Sequence, residues 1–314
     1  MRILALALLF AAALQPSAGA APNVVADIAP VHSLVARVME GVGGPSLLVE
    51  PGRSPHGYAL RPSQARDLEG ADVVFWVGAP YEPWLARALP RLAPRALAVP
   101  LMEAEGVRQL ARREGAAFEA HDHDGQHGDG AHGDGAHDDG GHGDHGGADP
   151  HVWLDPLNAM AMTAAIAAAL AEADPANAET YRTNAAAARG ELRALTQEVR
   201  ARLSGVEGRF VVFHDAFHHF EARFGVEAAG SVSDTDAVAP GAARLSAVRE
   251  VVAGADCVFT EPQMPSRRAE AITRGTGARV ATLDPLGVDH TPGPGLYPAV
   301  IRGLADALAE CLER

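Results

Sequence analysis

The chain contains no lysine; all 26 of its cationic side chains are arginine. That absence reflects composition, and no function follows from it. Acidic residues number 40 and the formal net charge is −14, so nucleic acid is a poor partner for the protein as a whole. No His-Glu-x-x-His run occurs, so the usual helical signature of a zinc hydrolase is missing. After the apolar run Ile3–Leu14, itself too short to span a bilayer, no stretch is long and apolar enough to predict a transmembrane helix. Cysteine is nearly absent, with only Cys257 and Cys311. Finally, no apolar residue larger than alanine lies between His121 and Asp149, so that segment cannot build a core.

The first of the segments present is an address. Met1-Arg2, the apolar run and Ala18-Gly19-Ala20 fit a secretory signal peptide over residues 1–20. No cysteine follows the run closely, which argues against a lipid-anchored form. The expectation is a soluble protein in an oxidising compartment, most simply a bacterial periplasm. There an even pair of cysteines favours one disulfide over two buried thiols. It would tie the last helix, near Cys311, to the strand-like run Asp256–Thr260.

Strand-like and helical stretches alternate through the rest, which predicts an α/β protein with parallel strands covered on both faces. Val24–Asp27, Leu47–Val49 and Asp72–Val77 read as strands in the first half. Arg209–Phe213, Glu227–Gly230, Asp256–Thr260 and Arg279–Leu283 do so in the second. Between the halves, Asp174 can cap a helix that starts at Pro175 and runs to about Leu203. A helix that long at mid-chain reads as a connecting rod. The expected division is a first lobe over 21–173, a connecting helix over 174–204 and a second lobe over 205–314.

Seven of the fourteen histidines fall within one Gly/Asp-rich stretch: His121, His123, His127, His132, His137, His142 and His145. Imidazole and carboxylate suit borderline divalent cations, so the expected loop over 121–148 reads as a metal collector rather than a solvated linker. A flexible chelator must be ordered on binding, so it should be the weaker, auxiliary site. Ligands of open α/β sheets bind beyond the carboxyl ends of strands. His214 and Asp284 follow such ends, His56 lies in a Pro/Gly-bounded loop soon after one, and His151 lies where the His-rich stretch returns to order between two Asp-Pro steps. Three imidazoles and a carboxylate make a tetrahedral zinc shell. Taken singly, each has a plain structural reading as a turn or cap residue.

Several segments together resemble the ZnuA-type periplasmic zinc-binding proteins of ABC importers, cluster A-I metal solute-binding proteins. They include Pro30–Val35, Gly52–Tyr58, Leu60–Ser63, Val74–Gly78, Asp149–Pro156, Val212–Ala216, Thr260–Gln263 and Leu283–Gly287, in the family's order over nearly the whole chain. The resemblance implies two Rossmann-like lobes joined by one long rigid helix, with the metal in the cleft between them. It implies His56, His151 and His214 as ligands, Asp284 as the fourth, and a Cys257–Cys311 bridge. Some zinc members carry an acidic residue directly before the first ligand. Here that position is Pro55, so Asp284 or water must complete the shell. Glu261, at a strand end facing the same cleft, is a candidate to hold a ligand histidine in place. His218, one helical turn beyond His214, is read as a surface or packing residue, with support of the metal site or a place as an alternative ligand as the other readings. The implied function is capture of Zn2+ and its delivery to a membrane permease by a monomeric, non-enzymatic receptor. A manganese-binding relative and a zinc-dependent hydrolase are the rival readings.

Overall fold

The computed structural model describes residues 20–113, 115–118, 147–233, 241–264 and 266–313. The expected signal peptide and the seven histidines between His121 and His145 lie outside the described residues, Ala20 apart. The first half folds as β1 (Val24–Ala26), α1 (Ala29–Val38), β2 (Ser46–Leu47), α2 (Pro62–Glu69), β3 (Val73–Trp76), α3 (Pro83–Leu92) and β4 (Leu97–Pro100). After α4 (Pro156–Ala173) and α5 (Ala178–Arg202), the second half gives β5 (Phe210–His214), α6 (His218–Phe224), β6 (Ala228–Ser233), α7 (Ala242–Ala253), β7 (Cys257–Thr260), α8 (Ser266–Thr273), β8 (Arg279–Thr282) and α9 (Leu296–Leu312). Each half holds one four-stranded sheet with every pairing parallel. The orders are β2-β1-β3-β4 and β6-β5-β7-β8, the same arrangement used twice. The central strands β3 and β5 are buried at every position, as continuous apolar runs covered on both faces should be.

Helices bind the sheets into one body. A single apolar core runs through α1, α4, α5 and α9 and reaches both sheets. Ser33 Oγ on α1 donates to Pro294 O at 3.1 Å and accepts from Tyr297 N at 2.9 Å, which ties the first lobe to the start of α9. Among the described residues α4 alone is long and apolar enough to cross a membrane, against the expectation that no such stretch follows the apolar run. Here it is a core helix, with Met162, Ile166 and Leu170 buried, entered through an Asp155 side chain that caps Leu157 N. The 25 residues of α5 span about 38 Å at helical rise. Its expected first turn is a separate 3-10 turn, Pro175–Asn177. The reason is local: the Asp174 carboxylate accepts from Asn177 Nδ2 at 2.7 Å and Tyr181 Oη at 2.8 Å rather than from the backbone of a first helical turn.

Cys257 on β7 and Cys311 on α9 are joined, with their Cα atoms 6.3 Å apart and 54 positions between them in sequence. In the chain-entropy account a loop of that length contributes about 4 kcal/mol by restricting the unfolded chain. Two helices and an edge strand, α2, α3 and β4, were not read from the sequence. Proline opens both helices, the available signal for a helix start. The strand is half-exposed and has no continuous apolar run.

Candidate metal centre

The chemistry sits where the two sheets present the carboxyl ends of their strands. His214 ends β5, beside the reversal of strand order between β5 and β7, and Glu261 follows β7. Such reversals open a crevice in doubly wound sheets. His56 comes from the long loop after β2, where Trp84 Nε1 donates to Pro55 O at 2.7 Å and fixes the preceding residue. His151 precedes the 3-10 turn Val152–Leu154 and is anchored across to the second lobe: Trp153 Nε1 donates to Pro285 O at 3.0 Å.

These three imidazoles converge. Their ring centroids lie 5.6 Å (His56–His151), 5.2 Å (His56–His214) and 5.0 Å (His151–His214) apart. Each offers a nitrogen within 4.8 Å of the other two, the only such group of three or more metal-competent side chains among the described residues. Zinc bound at about 2.0–2.1 Å sets tetrahedral nitrogens roughly 3.4 Å apart, so small ring movements close the group on one ion. His151 and His214 are buried, and the buried Nε2 atoms of His56 and His151 have no hydrogen-bond partner. Tyr81 forms one wall, 4.7 Å from the His56 ring and 5.4 Å from that of His151.

Two carboxylates stand behind the imidazoles. Asp149 Oδ1 is 2.7 Å from His151 Nδ1 and also accepts the His151 backbone N–H at 3.1 Å. Glu261 Oε1 is 3.1 Å from His214 Nδ1. A carboxylate only accepts, so each places the proton on Nδ1 and the lone pair on Nε2, facing the group. Burial pushes Asp149 up, but the adjacent His151 outweighs it and holds the carboxyl at about 2. Burial lowers His151, and burial with two neighbouring imidazoles lowers His56 to about 2. Both shifts favour the neutral ring, the form that binds a cation. Asp149 was missed in the sequence; its signal was a carboxylate two residues before the candidate His151.

Asp284, the expected alternative to water as fourth ligand, is not among the three grouped side chains. Its Oδ1 accepts from Leu286 N at 3.0 Å and Gly287 N at 2.8 Å, and its Oδ2 from Val288 N at 2.6 Å. The turn it closes requires glycine: Gly287 has φ +73°, and a Cβ there would lie 2.8 Å from Val300. Asp284→Ala is accordingly expected to lower unfolding free energy by about 1–3 kcal/mol and to change zinc affinity less than about tenfold, the lower edge of what a supporting residue costs. Denaturant titration and calorimetry read the two effects.

A carboxyl pair is formed by Asp27 and Glu82. Asp27 and Glu82 are fully buried. Asp27 accepts from Ile28 N and Val77 N, both at 2.6 Å, while neither Glu82 oxygen meets a protein donor. Only a proton held by Glu82 can bond it to Asp27. Burial pushes Asp27 up to about 6, and burial with the Asp27 charge pushes Glu82 well above the carboxylate range. Raised folded-state values mean the contribution to stability is full below about pH 4 and is lost as pH rises through 6 and beyond. Glu82→Gln supplies N–H donors without a proton, so its Tm should exceed that of the parent by a margin that widens from pH 5 to pH 8.

Two doubly wound lobes on a shared helical base, with imidazoles from both meeting at their strand ends, define a metal-binding solute-binding protein. The comparisons with known proteins agree. The family model of the zinc-uptake complex component A, periplasmic (ZnuA), matches residues 24–311, and the chain belongs to that family. It is 46% identical over 312 residues to the high-affinity zinc uptake system protein ZnuA of Brucella suis, covering 95% of this chain and 93% of that one. The ZnuA of Paracoccus denitrificans is 44% identical over 320 residues, covering 98% and 97%. Among solved structures, a zinc-bound deletion mutant of ZnuA superposes with a TM-score of 0.73 at 24% identity, covering 93% of this chain and 98% of that one.

Proposed function

We propose that the chain is the periplasmic zinc receptor of an ABC importer: His56, His151 and His214 capture Zn2+, and the loaded protein delivers it to the membrane permease. The observation that carries this reading is the convergence of three imidazoles from both lobes on one point. Membership of the zinc-uptake family supports it. Nitrogen-rich coordination favours zinc over manganese, which takes more oxygen ligands. With Asp284 engaged in its own turn, water fills the fourth place. The protein binds and releases its cargo without breaking a bond in a substrate, acts as a monomer and reaches the periplasm by its N-terminal leader. The core shared through α5 and α9 restricts lobe closure to small shifts.

The seven histidines between His121 and His145 are proposed as an auxiliary, weaker collector. Calorimetric titration of the full chain should give one tight zinc site and several weak ones. Deletion of residues 121–145 should remove only the weak ones, and Mn2+ should fail to displace zinc from the tight site. Loss of all tight binding on deletion, or preference for Mn2+, would refute the reading.

A further inference from the structure

A second pair of metal-competent atoms lies beside the centre. His218, at the start of α6 in the second lobe, turns its Nδ1 toward Asp149 Oδ2 at 4.0 Å. Both atoms are buried and neither has a hydrogen-bond partner. The Asp149 side chain is 4% exposed, and an unpaired carboxylate oxygen at such depth is costly unless a cation answers it. His219 Nε2 also lies 3.9 Å from Oδ2, but its hydrogen bond is to the Asp149 carbonyl at 3.2 Å, which holds that ring. Arg113 carries a charge nearby, but it is matched by Asp215 and Glu221. Burial and the nearby Arg113 lower His218, which favours the neutral ring.

The pair stands between two places. On one side Asp149 Oδ1 holds His151 of the three-imidazole group. On the other, His218 lines a cavity of about 770 Å³ walled also by Arg112, Arg113, Phe118, Glu221 and Glu227. Phe118 is the last described residue before the His-rich stretch in sequence.

We propose that His218 Nδ1 and Asp149 Oδ2 form an outer site that stages a divalent cation between this cavity and the three-imidazole centre, an inference that rests on the zinc-receptor reading. At about 2.0–2.2 Å per bond the two donors lie within the span of one ion, and rotation of the part-exposed His218 ring closes the angle. Two protein donors, with water for the rest, make a weak and rapidly exchanging site. A stage on the path lowers the barrier to loading and to release alike. It leaves the equilibrium constant, which depends only on the end states, unchanged.

Stopped-flow mixing of the metal-free full chain with Zn2+ tests this. Trp153, whose ring lies 5.4 Å from that of His151, reports filling of the centre, and the stretch from His121 to His145 contains no tryptophan to confuse it. His218→Asn keeps a polar side chain but is a poor ligand, and should slow both loading and release by about tenfold with zinc affinity unchanged. His218→Asp, which restores an oxygen donor, should recover most of the rate. Unchanged rates in His218→Asn would overturn the staging site and leave the receptor reading intact. So would a loss of affinity in both variants, which marks a packing role. Absence of tight zinc binding in the parent chain would instead overturn the receptor reading itself.

Discussion

His214→Ala is expected to weaken zinc binding by well over the roughly 100-fold that loss of a residue merely supporting a ligand costs. His214 is the only imidazole of the three that the second lobe supplies. Without it the ion keeps two nitrogens from the first half of the chain, and nothing couples the cation to the second sheet. The substitution also leaves the buried Glu261 without the histidine its Oε1 contacts. Calorimetry reads the effect directly, and a second signature accompanies it. Zinc at 100 times its dissociation constant should stabilise the parent by about 2.7 kcal/mol, a rise in Tm of about 4 °C for a chain of this size. At the same concentration His214→Ala should show almost none.

Arg113→Ala should destabilise the fold by about 3–5 kcal/mol, because it leaves the buried Glu221 and the largely enclosed Asp215 without their cation. The guanidinium pairs with Asp215, next to His214, and with Glu221 on α6 at 2.6 Å, and it lies 3.9 Å from the Phe118 ring centre. Burial pushes Asp215 up and Arg113 opposes it. Glu221 in turn accepts from Ala228 N at 3.0 Å, at the start of β6. The segment around Arg113 thus binds the second lobe, and Phe118 N donates to Ala229 O at 2.9 Å to extend that attachment. The exposed Arg61–Glu50 pair is the control; Arg61→Ala should cost less than about 1 kcal/mol. Urea unfolding of both variants separates a buried network from a surface pair.

Every strand but β4 and most helices were legible because they are carried by local patterns. β3 and β5 are unbroken apolar runs, and α4 opens on an Asp-Pro cap. The three histidines were found by strand-end position together with the family's motifs, since their spacing in sequence is too long to mean anything alone. Asp284 marks the limit of that reasoning. A strand-end Asp before proline reads equally as a ligand or as the acceptor that closes a turn, and the three backbone N–H groups that bond it arise only in the folded loop. The Asp27–Glu82 pair was illegible for a similar reason. Nothing local sets Asp27, at the end of β1, apart from other acids, and only the parallel pairing of β1 with β3 brings it to Glu82. Asp149 stood in plain view two residues from His151, but its partner His218 lies 69 positions away, on the other lobe.

The central claim is that side chains from both lobes close on one ion, and a zinc anomalous-scattering map of crystals grown with one equivalent of Zn2+ tests it most directly. The account predicts one strong peak about 2.0–2.1 Å from a ring nitrogen of each of His56, His151 and His214. Density confined to the His121–His145 segment, with none among those three rings, would contradict it.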